Sequence, residues 1–212
     1  MTGRGWSVVQ AVLLAGWLGG VQACSGLPRI VVLHDPLTPQ EHATLGESYL
    51  ARSLWEPAAR EFNVALRRQP EFVPALIGLG NLAFETNALE EAERFYRRAL
   101  AAAPGHPGAG NNLALVNLAR GERLDEAEGL ARSAAERGGA IRPYALDTLA
   151  RIYMRQGRYR EAGVALEEAA AMVPAENRDF HQELNRSRQE LAAVYFPEYP
   201  NEGGSGNGTD IP

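Results

Sequence analysis

The chain repeats itself every 34 residues, and a repeat of that length decides the architecture before any single residue is weighed. From Pro39 it runs His42, Leu45-Gly46, Tyr49, Ala58, Phe62, Ala65 and Pro70. From Val73 it gives Leu76, Leu79-Gly80, Ala92, Tyr96, Ala99 and Pro104 at the same offsets. A later copy, from Pro143, gives Leu146, Leu149-Ala150, Tyr153, Gly157, Ala162, Leu166, Ala169 and Pro174. A weaker copy lies between them. It starts at Pro107, keeps Leu113-Ala114 and Gly121, inserts one residue before Asp125-Glu126-Ala127 and closes on Gly138-Gly139 instead of proline. The spacing to the next copy is therefore 36 residues, and the pitch is expected to change there.

Each copy reads as two amphipathic helices. Apolar residues such as Leu45, Tyr49, Phe62 and Leu66 recur at helical spacing, and one pair of helices cannot bury that surface alone, so the copies must stack. The small residues Gly46 and Ala58, Gly80 and Ala92, Ala114 and Ala127, Ala150 and Ala162 mark where paired helices cross closely. Thr38-Pro39-Gln40-Glu41 predicts an N-cap, a proline at the first helical position and a capping box. Pro70, Pro104 and Pro174 stop the helices before them, because proline has no amide hydrogen to continue the ladder. In 177–196, Phe180, Leu184, Leu191 and Val194 form one stripe and polar residues the rest, as a terminal helix that solvates the end of an array requires.

These residues resemble the tetratricopeptide repeat (TPR). The expected fold is all-α: a solenoid of about four helix pairs over 39–176, with repeats near 39–72, 73–106, 107–140 and 143–176, and a C-terminal capping helix over 177–196. Residues 197–212, rich in Gly, Pro and polar residues, are expected to be disordered. The resemblance implies that the first helix of each pair lines a concave groove for a peptide or protein partner. Matching positions include Ile77, Asn81 and Phe84 in the second copy, Asn111, Asn112, Leu115 and Leu118 in the third, and Asp147, Arg151, Met154 and Arg155 in the fourth. Asn81 and Asn112 fall where related repeats bond the main chain of an extended peptide; the alternative is that they satisfy polar neighbours inside the solenoid. Ala43 and Glu85 stand where a clamp for a C-terminal carboxylate would need basic residues, so that specificity is not carried over. Arg142, Arg151, Arg155, Arg158 and Arg160 concentrate positive charge in the fourth copy, and Asp147, Arg151 and Arg155 are spaced to share one helix face. This patch could meet a partner carboxylate or a lipid phosphate, or be an internally paired solvated face.

The amino terminus poses a separate question. Residues 1–23 hold one charge, Arg4, an interrupted apolar run and small exit residues, as an export signal does. The only cysteine, Cys24, follows at once. No second cysteine exists for a disulfide. Val21-Gln22-Ala23-Cys24 resembles the lipobox of bacterial lipoproteins, which implies a signal peptide over 1–23, a lipidated Cys24 with a spacer over 24–38, and a place on the periplasmic face of the outer membrane. A plain cleaved signal and an uncleaved anchor are the alternatives.

Composition removes other classes. The net charge of −5 gives no reason to expect nucleic acid as a partner. No HExxH, CxxC, Gly-rich phosphate loop or GxSxG is present, and the four histidines are scattered, so neither catalysis nor a metal or other cofactor is expected. The resemblance extends to outer-membrane TPR lipoproteins of envelope assembly and implies a tethered adaptor. The alternative is a carrier whose Ile77, Phe84, Leu115, Leu118 and Met154 line a pocket for an apolar lipid of the sterol or hopanoid type.

Overall fold

The computed structural model describes residues 35–174 and 176–195. Cys24, the export signal and the 197–212 tail lie outside them. The described residues form nine α-helices, which we number α1 (Pro39–Leu50), α2 (Trp55–Arg68), α3 (Val73–Glu85), α4 (Leu89–Ala102), α5 (Pro107–Arg120), α6 (Leu124–Arg137), α7 (Arg142–Arg155), α8 (Tyr159–Met172) and α9 (Arg178–Tyr195). A single 3₁₀ turn among them, Gly139–Ile141, joins α6 to α7.

The helices begin where the sequence says they should. Thr38 caps α1: its hydroxyl accepts from the Glu41 amide at 3.2 Å, and the Glu41 carboxylate accepts from the Thr38 amide at 2.7 Å. Proline occupies the first turn of α1, α3, α5 and α7, where its missing N–H costs nothing. Within the first, second and fourth pairs the turn passes through a left-handed residue, Ser53, Asn87 or Gly157. The third pair, with its inserted residue, uses two, Gly121 and Arg123.

Close crossing is visible atom by atom. Ala58, Ala92, Ala127 and Ala162, one in each second helix, are fully buried, as are Ala114 and Ala150 opposite them. The Phe62 ring of α2 fills the space between α1 and α3. A Cβ added at Gly46 would lie 2.7 Å from that ring, and one at Gly78 only 2.3 Å. Gly80 holds the same relation to Tyr96, at 2.4 Å. Successive interiors are built the same way, and from α5 onward they merge into one cluster that ends on Phe180 and Leu184 of α9.

The stacking order sets the curvature. Each second helix packs on the next first helix, α2 on α3, α4 on α5, α6 on α7 and α8 on α9. Consecutive first helices also touch, α1 with α3, α3 with α5, α5 with α7 and α7 with α9. Among the described residues the second helices share no comparable contact with one another. The array therefore bends with the first helices on its inner wall. α9 occupies the place of a fifth first helix: it runs antiparallel to α8, with Arg188 bonded to Glu167 at 3.0 Å and Tyr195 against Tyr159 at 5.8 Å between ring centroids.

Of the stripe expected on α9, Phe180 and Leu184 are buried, but Val194 is 50% exposed, because it faces an open cleft on the inner wall. The longer spacing after the third pair is taken up by the 3₁₀ turn, entered through Gly138 and Gly139, both at positive φ. Behind that turn a cavity of about 620 Å³ opens between α6 and α8, over Leu146, Leu149 and Tyr153. A cluster of charge ties the middle pairs together. Glu93 of α4 accepts from Arg97 at 2.8 Å, Arg123 at 2.7 Å and Arg120 at 3.1 Å. Arg123 foremost, with Arg97, holds its carboxyl down at about 2.

Candidate functional site

The inner wall carries the residues that can meet a partner, and the structure sorts the eleven expected there into three sets. Asn81, Phe84, Asn112 and Leu115 line one small hollow of about 110 Å³, floored by Tyr96. Leu118, Arg151, Met154 and Arg155 line a larger cleft of about 510 Å³, closed on its far side by Glu190, Ala193 and Val194 of α9. Ile77, Asn111 and Asp147 lie apart from both.

In the small hollow the Tyr96 hydroxyl donates to Asn81 Oδ1 at 2.8 Å, and Asn112 Nδ2 donates to the same oxygen at 2.9 Å. Burial pushes the Tyr96 hydroxyl above its ordinary pKa. This is the internal pairing held open as the alternative for these two asparagines, yet it uses only half of each amide. Among the described residues, Asn81 Nδ2 and Asn112 Oδ1 make no hydrogen bond. One donor and one acceptor therefore stand next to each other on α3 and α5, the complement of one residue of extended main chain.

The larger cleft spans three first helices. Leu118 and Ala119 come from α5, Arg151, Met154 and Arg155 from α7, and the far wall from α9. Neither Arg151 nor Arg155 makes an ion pair among the described residues. Arg158 and Arg142 of the same repeat behave differently, pairing with Glu128 and Glu161 and with Glu168. Two arginines of the fourth repeat are thus paired internally, while Arg151 and Arg155 on the inner side and Arg160 on the outer side make no ion pair among the described residues.

The three remaining residues differ from expectation for identifiable reasons. Asn111 is 3% exposed: one position from Asn112, its side chain is turned by about 100° into the packing of α5. Ile77 is half-buried against Leu76 and Leu100, as part of the interface between the second and third pairs. Asp147, expected on one face with Arg151 and Arg155, lies under α9 at 3% exposure, where Ser187 donates to it at 2.7 Å. Burial raises its carboxyl pKa above the ordinary value. Ser187 carried no signal in the sequence, since nothing local links it to a carboxylate 40 positions away. Among the described residues there is no group of His, Cys, Asp and Glu placed to hold a metal ion, and no helix long and apolar enough to cross a membrane.

Comparison with known proteins bears on the fold. The tetratricopeptide repeat pattern matches residues 44–107 and again 143–175. A curated relative, the CTR9 homolog of Arabidopsis thaliana, is 32% identical over 77 residues; the match takes in 36% of this chain and only 7% of that protein. Among solved structures, the thermophilic TPR protein TTC0263 of Thermus thermophilus is similar with a TM-score of 0.61 at 20% identity, over 73% of this chain and 84% of that one. A tetratricopeptide repeat protein of Parabacteroides merdae gives 0.61 at 19% identity, over 76% and 60%. MamA gives 0.54 at 19%, over 74% and 83%. With the helix pairs and their small-residue crossings, these likenesses identify the array as a tetratricopeptide-repeat solenoid, a fold whose members are in general non-catalytic scaffolds for protein interaction.

Proposed function

We propose that this protein is a non-catalytic adaptor, tethered to the periplasmic face of the bacterial outer membrane through acyl chains on Cys24, whose inner wall holds an extended peptide segment of a protein partner in envelope assembly or trafficking. One observation supports the binding half of this reading above all. A single curved wall presents an unused amide donor and acceptor on α3 and α5 and, one helix further on, two guanidinium groups without an ion pair among the described residues, beside apolar Leu118 and Met154. Amides suit main chain of any sequence, and arginines suit a carboxylate, so the favoured ligand is extended, part apolar and acidic at one end.

The carrier reading draws less support. Its five apolar residues do not enclose one pocket: Ile77 is half-buried between the second and third pairs, Phe84 and Leu115 line a hollow of about 110 Å³, below the roughly 300–1,000 Å³ usual for small-molecule sites, and Leu118 and Met154 line the separate arginine cleft of about 510 Å³. A stoichiometric sterol or hopanoid in an organic extract of the purified protein would reverse this ranking.

The adaptor reading is tested by selecting extended peptides from a random display library on the full chain. The expected consensus joins apolar and acidic residues, and Arg155→Glu and Asn112→Leu each weaken binding tenfold or more. Binders indifferent to both substitutions would refute the groove. For the tether, acyl label is expected on the wild-type chain and not on Cys24→Ser. Membrane attachment of that variant without acyl chains would mean that the leader stays on as an anchor.

A further inference from the structure

The α9 wall of the larger cleft runs directly into a stretch of chain with the chemistry the cleft calls for. Taking the inner wall as a peptide groove, a reading on which this inference rests, we propose that residues 196–202, Phe-Pro-Glu-Tyr-Pro-Asn-Glu, bind in the cleft in cis and compete with the partner for it.

Position is the first argument. Ala193 and Val194 line the cleft, and Val194, two positions before the proposed segment, is 50% exposed there. An apolar side chain at that edge is left for something to cover.

Charge is the second. The segment carries Glu198 and Glu202 and no basic residue. The cleft offers Arg151 and Arg155 against one acidic side chain, Glu190, which lies on the α9 side. Elsewhere in the fourth repeat Arg158 and Arg142 are already paired, and Arg160, which makes no ion pair among the described residues, lies away from the cleft, on the cavity between α6 and α8 beside Glu161 and Glu168. Phe196 and Tyr199 are the aromatic side chains that Leu118, Met154 and Val194 can cover.

Reach is the third. Pro197 and Pro200 fix their own φ and bias the residues before them to extended backbone, which advances at most about 3.3–3.6 Å per residue. Packed helices lie about 8–10 Å apart, so such a segment crosses one helix for about every three residues. On that count three residues beyond Tyr195, the end of α9, suffice to reach α7 and its two arginines, and six suffice to reach α5 and Leu118. The segment would follow the track proposed for the partner and stop short of the Asn81–Asn112 pair, so a partner that engages the amides can displace it from that end.

The test uses a labelled synthetic peptide of residues 196–202 and two full-length chains: the wild type, and one carrying Phe196→Gly, Glu198→Gly, Tyr199→Gly and Glu202→Gly. A short tether gives the native segment an effective concentration on the order of 1 mM. The peptide is therefore expected to bind the substituted chain about tenfold more tightly than the wild type, if its own affinity is about 0.1 mM, and Arg155→Glu in the substituted chain should abolish that binding. Equal affinity for both chains would overturn docking in cis and leave the groove reading intact. Failure to bind either chain, while the library-selected peptides still bind, would also overturn it. If those peptides fail too, the groove reading itself is wrong. Sedimentation across a hundredfold range of concentration completes the test: a dimer seen for the wild type and lost in the substituted chain would place the segment in a second copy and refute the cis arrangement.

Discussion

The Phe62 ring between Gly46 and Gly78 gives the sharpest quantitative prediction, because two opposed effects can be separated by a change of sign. Gly78→Ala adds a methyl 2.3 Å from the Phe62 Cε1 atom and 2.4 Å from Cζ. The ring is fully buried and cannot step aside. Overpacking of this kind costs about 1–3 kcal/mol, whereas alanine in place of glycine inside a helix gains up to about 1 kcal/mol. Net destabilisation of about 1–2 kcal/mol is expected from these two effects. Gly46→Ala, with a closest approach of 2.7 Å, should cost less. In a Phe62→Leu background the ring edge is gone, and Gly78→Ala should stabilise by a few tenths to about 1 kcal/mol. The coupling is then about 2 kcal/mol, well beyond the roughly 0.5 kcal/mol scatter of independent sites. Urea unfolding followed by far-ultraviolet circular dichroism supplies all four corners of the cycle. If Gly78→Ala stabilises the wild type, or has the same effect in both backgrounds, the glycine is not there to admit the ring.

Two further predictions concern titration. The folded pKa of Glu93 is lowered to about 2, with Arg123 the chief cause, so its ion pairs contribute stability above the unfolded value near about 4.3 and lose it as the pH falls toward 2. Glu93→Gln should cost about 1 kcal/mol at neutral pH, allowing for solvent screening, and nothing measurable near pH 2 in matched urea titrations. Asp147 has the opposite sign. Its folded pKa is raised by burial, so the ionised form opposes folding and stability falls as the pH rises from the unfolded value of about 3.9 through the folded one. Asp147→Asn, which can still accept from Ser187, should flatten that slope and raise the urea unfolding midpoint at neutral pH.

The repeat phase made the fold legible because its causes are local. Thr38 and Glu41 cap a helix three residues apart, and alanine at Ala58, Ala92, Ala127 and Ala162 is dictated within one pair of helices. The inner wall was legible to the precision of one helical position. Asn112 and Asn111 are neighbours in sequence, and the roughly 100° between them separates an open amide from a buried one. Asp147 shows where local reasoning ends. Its spacing from Arg151 and Arg155 is that of a shared face, but α9 arrives from outside the repeat and takes the carboxylate for itself. The cavity between α6 and α8 left no mark in the sequence, since it is lined from α6, α7 and α8 together and no local pattern fixes the placement of three helices.

Equal length does not make the blocks interchangeable. Those beginning at Pro39 and Val73 have the same length and matching alanine seams, but the second is tied to both neighbours, to the first by Gly78 under the Phe62 ring and to the third by Glu93 and Asn81, so its removal would leave side chains on either side without their partners. The block beginning at Pro107 is longer, and it passes to its successor through the double glycine and the 3₁₀ turn instead of through a proline. Exchange of whole blocks is therefore limited less by helix length than by the side chains each block lends to the next.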